Sequence, residues 1–154
     1  MTQNLTHVDE HGRAVMVDVS NKPIVRRRAV AEAFFVAASE TLDRIMAGDL
    51  PKGEALAVAR IAGIQAAKRV DAMIPLCHTL PLEHIDVSFD RAAPETIRIE
   101  ATAVVTARTG VEMEALTAVN VAALTLWDMT KAIDKNLRID QTRLVLKEKD
   151  SPVS

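Results

Sequence analysis

One stretch limits the folds open to this chain more than any other: residues 109–131, TGVEMEALTAVNVAALTLWDMTK. Leu116, Val119, Ala123, Leu124 and Trp127 recur at helical steps, the period of one buried helix face. Thr109 and Glu112 have the spacing of a capping box, so the helix is predicted to begin there. Between Val121 and Trp127 only Thr125 is polar, which predicts that this part is covered on most sides. Charge then returns abruptly. Asp128 and Lys131 come three residues apart and so on one face, and Glu112 and Glu114 stand at the other end. Spacing alone favours a routine surface ion pair for Asp128 and Lys131. It also allows Glu112 to be only a cap and Glu114 only a charge at the positive end of the helix dipole.

Such a helix needs a partner layer, and the flanking segments supply one. Residues 84–90 and 96–106 alternate and read as antiparallel strands joined by a turn around Ala93 and Pro94, with a last strand at 137–147. After Pro23, the run RRRAVAEAFFVAA is ambiguous between strand and helix. Its alternation puts Arg26, Arg28, Val30, Glu32 and Phe34 on one side and Arg27, Ala29, Ala31, Ala33 and Phe35 on the other, which suits a strand whose early part is wet. A short extended segment is expected at 16–19. Ser39 is predicted to cap a helix through Leu42, Ile45 and Met46 that stops near Gly48. A second helix is expected over 54–69, with Leu56, Ala59, Ile61, Ile64 and Ala67 inward, and Gly63 inside it marks close packing. The helix over 109–131 is expected to end near Lys135. Strand, two helices, two strands, helix, strand is the order of an α+β ferredoxin-like sandwich, an antiparallel sheet with helices packed on one face. The division expected is a flexible N-terminus at 1–15, a single catalytic domain at 16–148 and a flexible tail at 149–154.

The 154 residues are 49% hydrophobic but only 3% aromatic, with no Tyr, so aliphatic and Ala side chains must fill the core. A net charge of -2 argues against a general nucleic-acid binder. Cys77 is the one cysteine, which excludes an internal disulfide and fits a reducing compartment. The polar start and the lack of a long apolar run predict a cytoplasmic protein without a membrane span. Neither G-x-x-x-x-G-K-[ST] nor G-x-G-x-x-G occurs, so a nucleotide would be held by side chains and helix ends.

Candidate site residues lie outside the long helix as well. Lys52, just before a predicted helix start, could complete an anion site with backbone N–H groups, or be a mobile loop lysine. Cys77 and His78 sit in a Pro-bounded loop. Adjacent side chains in an extended loop point apart, which disfavours Cys–His catalysis. With only His84 near, a metal site lacks a spaced ligand set. A buried Cys beside a polar or substrate-facing His is the better reading. Arg26, Arg27 and Arg28 are consecutive: a solvated face, or a phosphate-neutralising one.

The chain resembles the cyclic pyranopterin monophosphate synthase (MoaC) family of molybdenum cofactor biosynthesis. The resemblance is carried, in order, by MVDVS (16–20), KG (52–53), ARIAGIQAAKR (59–69), IPLCH (74–78), TGVEMEALTAV (109–119) and WDMTK (127–131). It implies a ferredoxin-like fold, a homohexamer built as a trimer of dimers, and an active site at the dimer interface. The implied substrate is a cyclised dihydro-GTP, with guanine C8 joined to the ribose, made by a radical-SAM cyclase. The implied products are cyclic pyranopterin monophosphate and diphosphate. Carried over motif by motif, the resemblance implies Asp128, Lys131 and Lys52 as catalytic residues. Cys77, His78, Glu112, Met113, Glu114 and, less closely matched, Lys147 are implied as substrate-binding.

Ring opening, rearrangement and displacement of diphosphate need proton transfers and no redox step, so general acid–base residues suffice. No tightly bound cofactor is implied, with Mg²⁺ an optional companion of the triphosphate. Three departures stand out: Thr79 where the family has Pro, Trp127 and Thr130 where it has Tyr and Cys, and a tail, EKDSPVS, without the usual Gly-rich, Lys-containing end. The alternative is a ligand- or protein-binding homologue that lost turnover with that tail. Glu114 and Asp128 lie 14 residues apart, roughly 21 Å along one helix at 1.5 Å per residue. One small molecule can meet both only if two subunits share the site.

Overall fold

The structure, a computed structural model, describes residues 8–151. In chain order it contains β1 (Val25–Val36), α1 (Ser39–Ala47), α2 (Ala55–Ala67), α3 (Val70–Met73), β2 (His84–Ala93), β3 (Thr96–Ala107), α4 (Glu112–Thr130) and β4 (Arg138–Lys149). The strands form a sheet in the order β2-β3-β1-β4 with every neighbouring pair antiparallel. With the helices packed on it, this is the expected α+β ferredoxin-like sandwich.

The ambiguous arginine-rich run is β1, a central strand hydrogen-bonded on both edges. Its alternation sorts the side chains. Ala29, Ala31, Ala33 and Phe35 are buried in the core with Ile97, Ile99, Ala101 and Ala103 of β3, under Ala115, Ala118, Ala122 and Leu126 of α4. Alanines here replace aromatic bulk and let α4 approach the sheet. On the opposite face Glu32 is only 3% exposed. Arg98 Nε at 2.6 Å and Arg143 Nε at 2.7 Å donate to it. A buried carboxylate needs such partners, and the Arg98 and Arg143 contacts hold its pKa below the usual range against the effect of burial.

Helices α2 and α4 meet through Gly63. A Cβ there would lie 2.9 Å from Ala118 O and 3.2 Å from Val87 Cγ2. Gly63→Ala should therefore lower the melting temperature, although Ala favours helix by about 1 kcal/mol. Overpacking of about 1–3 kcal/mol outweighs that gain. A thermal melt checks this, and a higher melting temperature would mean that α4 can move away freely.

Several expectations need correction. The predicted capping box is absent: α4 has Val111 as N-cap with no side-chain cap hydrogen bond. Glu112 instead sends its carboxylate to Lys147 Nζ, at 2.5 Å, because an ammonium is a stronger donor than a neutral amide. Ser39 is the first residue of α1, not its cap. The buried Asp134 carboxylate takes the Ala38 N–H at 2.9 Å and the Thr41 hydroxyl at 3.0 Å. Helix α2 stops at Ala67 and α4 at Thr130, short of Arg69 and Lys135. Residues 16–19 form no strand; Val17 O meets His78 instead of a sheet neighbour.

Ile61 points outward, 57% exposed, because the inward face of α2 is made of Ala55, Ala59, Gly63, Ala66 and Ala67. Leu124 is likewise 57% exposed and Trp127 36%, so this chain alone does not cover α4 on most sides. Strand β4 continues through Glu148 and Lys149, two residues past the expected end of the last strand, and Asp150 N–H donates to Arg26 O. The β1–β4 ladder shifts register twice, between Val30 and Ala31 and between Glu32 and Phe34. Residues 1–7 and 152–154, part of the expected flexible ends, lie outside the described residues.

Candidate active site

The predicted site residues gather at the two ends of α4. At its carboxyl end, Lys52, Asp128 and Lys131 form one cluster. Lys52 Nζ donates to Asp128 Oδ2 at 3.1 Å and to the Asp128 backbone oxygen at 2.9 Å. Lys131 Nζ lies 2.7 Å from Asp128 Oδ1. Lys52 sits in the loop ahead of α2, whose N-cap is Glu54. Its ammonium faces the carbonyl end of α4, where a cation suits the helix dipole, and not the α2 start where the sequence put an anion site. All three side chains are about half exposed. The flanking ammonium groups, Lys131 first, hold the Asp128 carboxyl below the usual carboxylate range.

At the amino end of α4, an open cleft of about 300 Å³ is lined by Cys77, His78, Glu112, Met113 and Glu114, with Val17, Val19 and Lys22 across from them. The α3–β2 loop brings Cys77 and His78, and the first turn of α4 brings Met113 and the two glutamates. Gly110 is what lets Glu112 fold back: a Cβ at 110 would lie 2.0 Å from Glu112 Oε2. An adjoining cavity of about 480 Å³ holds Lys22, Arg27, Arg108, Lys147 and Lys149, with Glu112 and Asp150.

Sequence reasoning missed Lys22 and Arg108. Arg108 Nη1 donates to Ser20 O at 2.6 Å and Lys22 O at 2.7 Å, tying the segment before β1 to the end of β3. A basic residue abutting the Thr109–Gly110 turn was the only signal for it. The Arg26–Arg28 run is not one patch. Arg27 lines the cavity and donates to Ala107 O and Arg108 O, while Arg28 pairs with Glu148 at 3.5 Å.

Cys77 is not poised as a nucleophile. Burial raises its thiol pKa, and Glu114 and Asp71 push the same way, whereas reactive thiols need the opposite surroundings. Among the described residues no three or more His, Cys, Asp or Glu side chains are grouped to hold a metal ion. Nor, among them, is any helix long and apolar enough to cross a membrane.

A family model described as the MoaC family matches residues 16–150, almost the whole of the described chain. The chain belongs to the MoaC family. It is 56% identical over 144 residues to the cyclic pyranopterin monophosphate synthase of Chloroflexus aurantiacus, covering 93% of this chain and 88% of that one. Identity to the protein of the same name from Roseiflexus castenholzii is 57% over 146 residues, covering 94% and 92%.

Glu114 lines this cleft with its carboxyl buried. It is 4% exposed. Burial raises its pKa from 4.5 to about 7, with Glu112 and Asp71 adding repulsion. Between those values the folded protein holds a proton that the unfolded chain has released. Stability contributed by Glu114 therefore falls as pH rises through that window. Glu114→Gln cannot lose a proton, so its melting temperature should gain on the parent's as pH rises from 4.5 to about 7 and hold that gain above it. Parallel melting curves across this range would place the Glu114 carboxyl in contact with water.

Proposed function

We infer that the chain is a cyclic pyranopterin monophosphate synthase of molybdenum cofactor biosynthesis, an enzyme of the phosphorus–oxygen lyase class. It would convert the cyclised dihydro-GTP to cyclic pyranopterin monophosphate and diphosphate. The observation that carries this reading is the Lys52–Asp128–Lys131 cluster, because it supplies what the reaction needs. A carboxylate shared by two ammonium groups stays ionised and is a weak base. Asp128 then acts chiefly as the orienting group, and Lys131 and Lys52 as proton donors or as charges facing the departing diphosphate.

The opposite end of α4 supplies recognition. Glu112 and Glu114 offer carboxyl groups to the polar edge of the base-derived ring, and Glu114, titrating near neutrality, can give or take a proton there. Met113, Cys77 and His78 complete this wall. The basic cavity with Arg27, Arg108, Lys147 and Lys149 suits the phosphates, with any Mg²⁺ entering on the triphosphate.

The two ends come together if dimers form about a two-fold axis, as in a hexamer built from three dimers. The exposed Val58, Ile61, Leu124 and Trp127 on α2 and α4 support such a contact. A radical-SAM cyclase working in the same cytoplasm would supply the substrate. The test is to incubate the protein with cyclised dihydro-GTP and analyse by mass spectrometry. Product plus diphosphate is expected. Binding without product would favour the alternative, a ligand-binding homologue whose tail no longer supports turnover.

A further inference from the structure

We propose that the hydrogen bond from Thr79 to Asp71 is a clamp that positions the Cys77–His78 loop over the cleft; the inference rests on the function proposed above. The Thr79 hydroxyl donates to Asp71 Oδ2 at 2.6 Å. It joins the residue just past His78 to α3, where the loop begins. The other carboxylate oxygen of Asp71 accepts the Ala72 N–H at 3.0 Å, so the acceptor is itself held in place. Within the loop, Cys77 N–H donates to Ile74 O at 3.1 Å and closes a turn. His78 Nε2 lies 2.8 Å from Val17 O. A carbonyl oxygen only accepts, so Nε2 carries the proton and Nδ1 is the ring nitrogen left for a ligand. Of these fastenings only Thr79–Asp71 joins two side chains, and it needs a hydroxyl at position 79.

Thr79→Val removes this hydrogen bond and leaves the Asp71 carboxylate, with its hold on the Ala72 N–H, in place.

Cys77 is the only cysteine, so its alkylation by iodoacetamide reads the loop without reference to turnover. Thr79→Val should speed alkylation several-fold and lower kcat/KM by about tenfold, the effect of one lost hydrogen bond to a charged acceptor. The melting temperature should stay near the parent's, and Thr79→Ser should restore both rates. Parent-like alkylation and turnover in Thr79→Val would overturn the clamp, as would losses that Thr79→Ser fails to restore. If the parent protein makes no product, the functional reading fails on that arm, and the alkylation arm still decides the clamp.

Discussion

Asp128→Asn should cut formation of cyclic pyranopterin monophosphate by about 10²–10⁴-fold, the range lost with a general acid, because it releases the two lysines that donate protons. The amide keeps the shape of the side chain but offers no charge to orient two ammonium groups. Lys131→Ala should have a loss of similar size. Both variants should melt near the parent temperature, because the three side chains are about half exposed and exposed ion pairs add little stability. Mass spectrometry of the product and a thermal melt read the two quantities separately. A large drop in melting temperature with normal specific activity would make the cluster a structural tie between the Lys52 loop and α4.

Mixed subunits test whether two chains share each site. Helix α4 runs unbroken from Glu112 to Thr130, so Glu114 and Asp128 stay roughly 21 Å apart along it. A single chain cannot bring both to the reacting part of one small molecule. In a two-fold dimer the start of one α4 would meet the end of its neighbour's, giving two composite sites. Glu114→Ala and Asp128→Asn proteins should each be inactive. Denatured together and refolded, half of the dimers would be mixed, each with one intact site and one doubly altered. About a quarter of all sites should then recover. No recovery, with mixed oligomers verified by native mass spectrometry, would mean that the two residues act within one subunit.

Much of this architecture was legible in the sequence because period and composition carry it. The alternation of β2 and β3 placed those strands and Gly63 marked a close helix contact, while the face of α4 read as buried, which included Leu124 and Trp127, differs from the Ala-rich face that packs on the sheet. What was not legible depends on contacts between distant residues. Nothing near Ser39 announces that Asp134 will cap α1. Glu112 has the spacing of a cap, and only the arrival of Lys147 from β4 makes it a site residue. The alternation already separated Arg27 from Arg26 and Arg28, but not that Arg27 would donate to Ala107 O and Arg108 O at the end of β3. Ile61 and Leu124 were expected inside because hydrophobicity was read against one chain, while their exposure suits an assembly. For the candidate site the ordered motifs named residues that the structure gathers at the two ends of α4, but the arrangement was not legible, since Lys52 faces the end of a helix other than the one it precedes.

The register shifts in the β1–β4 ladder bear on how the basic cavity keeps its shape. Strand β4 uses 12 residues where β1 covers the span from Arg27 to Val36. Counted without the shifts from the Val36–Arg138 pairing, Val145 would stand opposite Ala29; with them, Lys147 does. An extra residue in an edge strand disturbs one ladder only, and each insertion reverses the faces of everything beyond it. Two insertions restore the original facing but advance the chain by one side-chain repeat, which brings an ammonium to Glu112. The length of β4 therefore acts as a positional code. At this edge a family member could exchange the group that meets Glu112 by gaining or losing a pair of residues, with every side chain in the core left as it was.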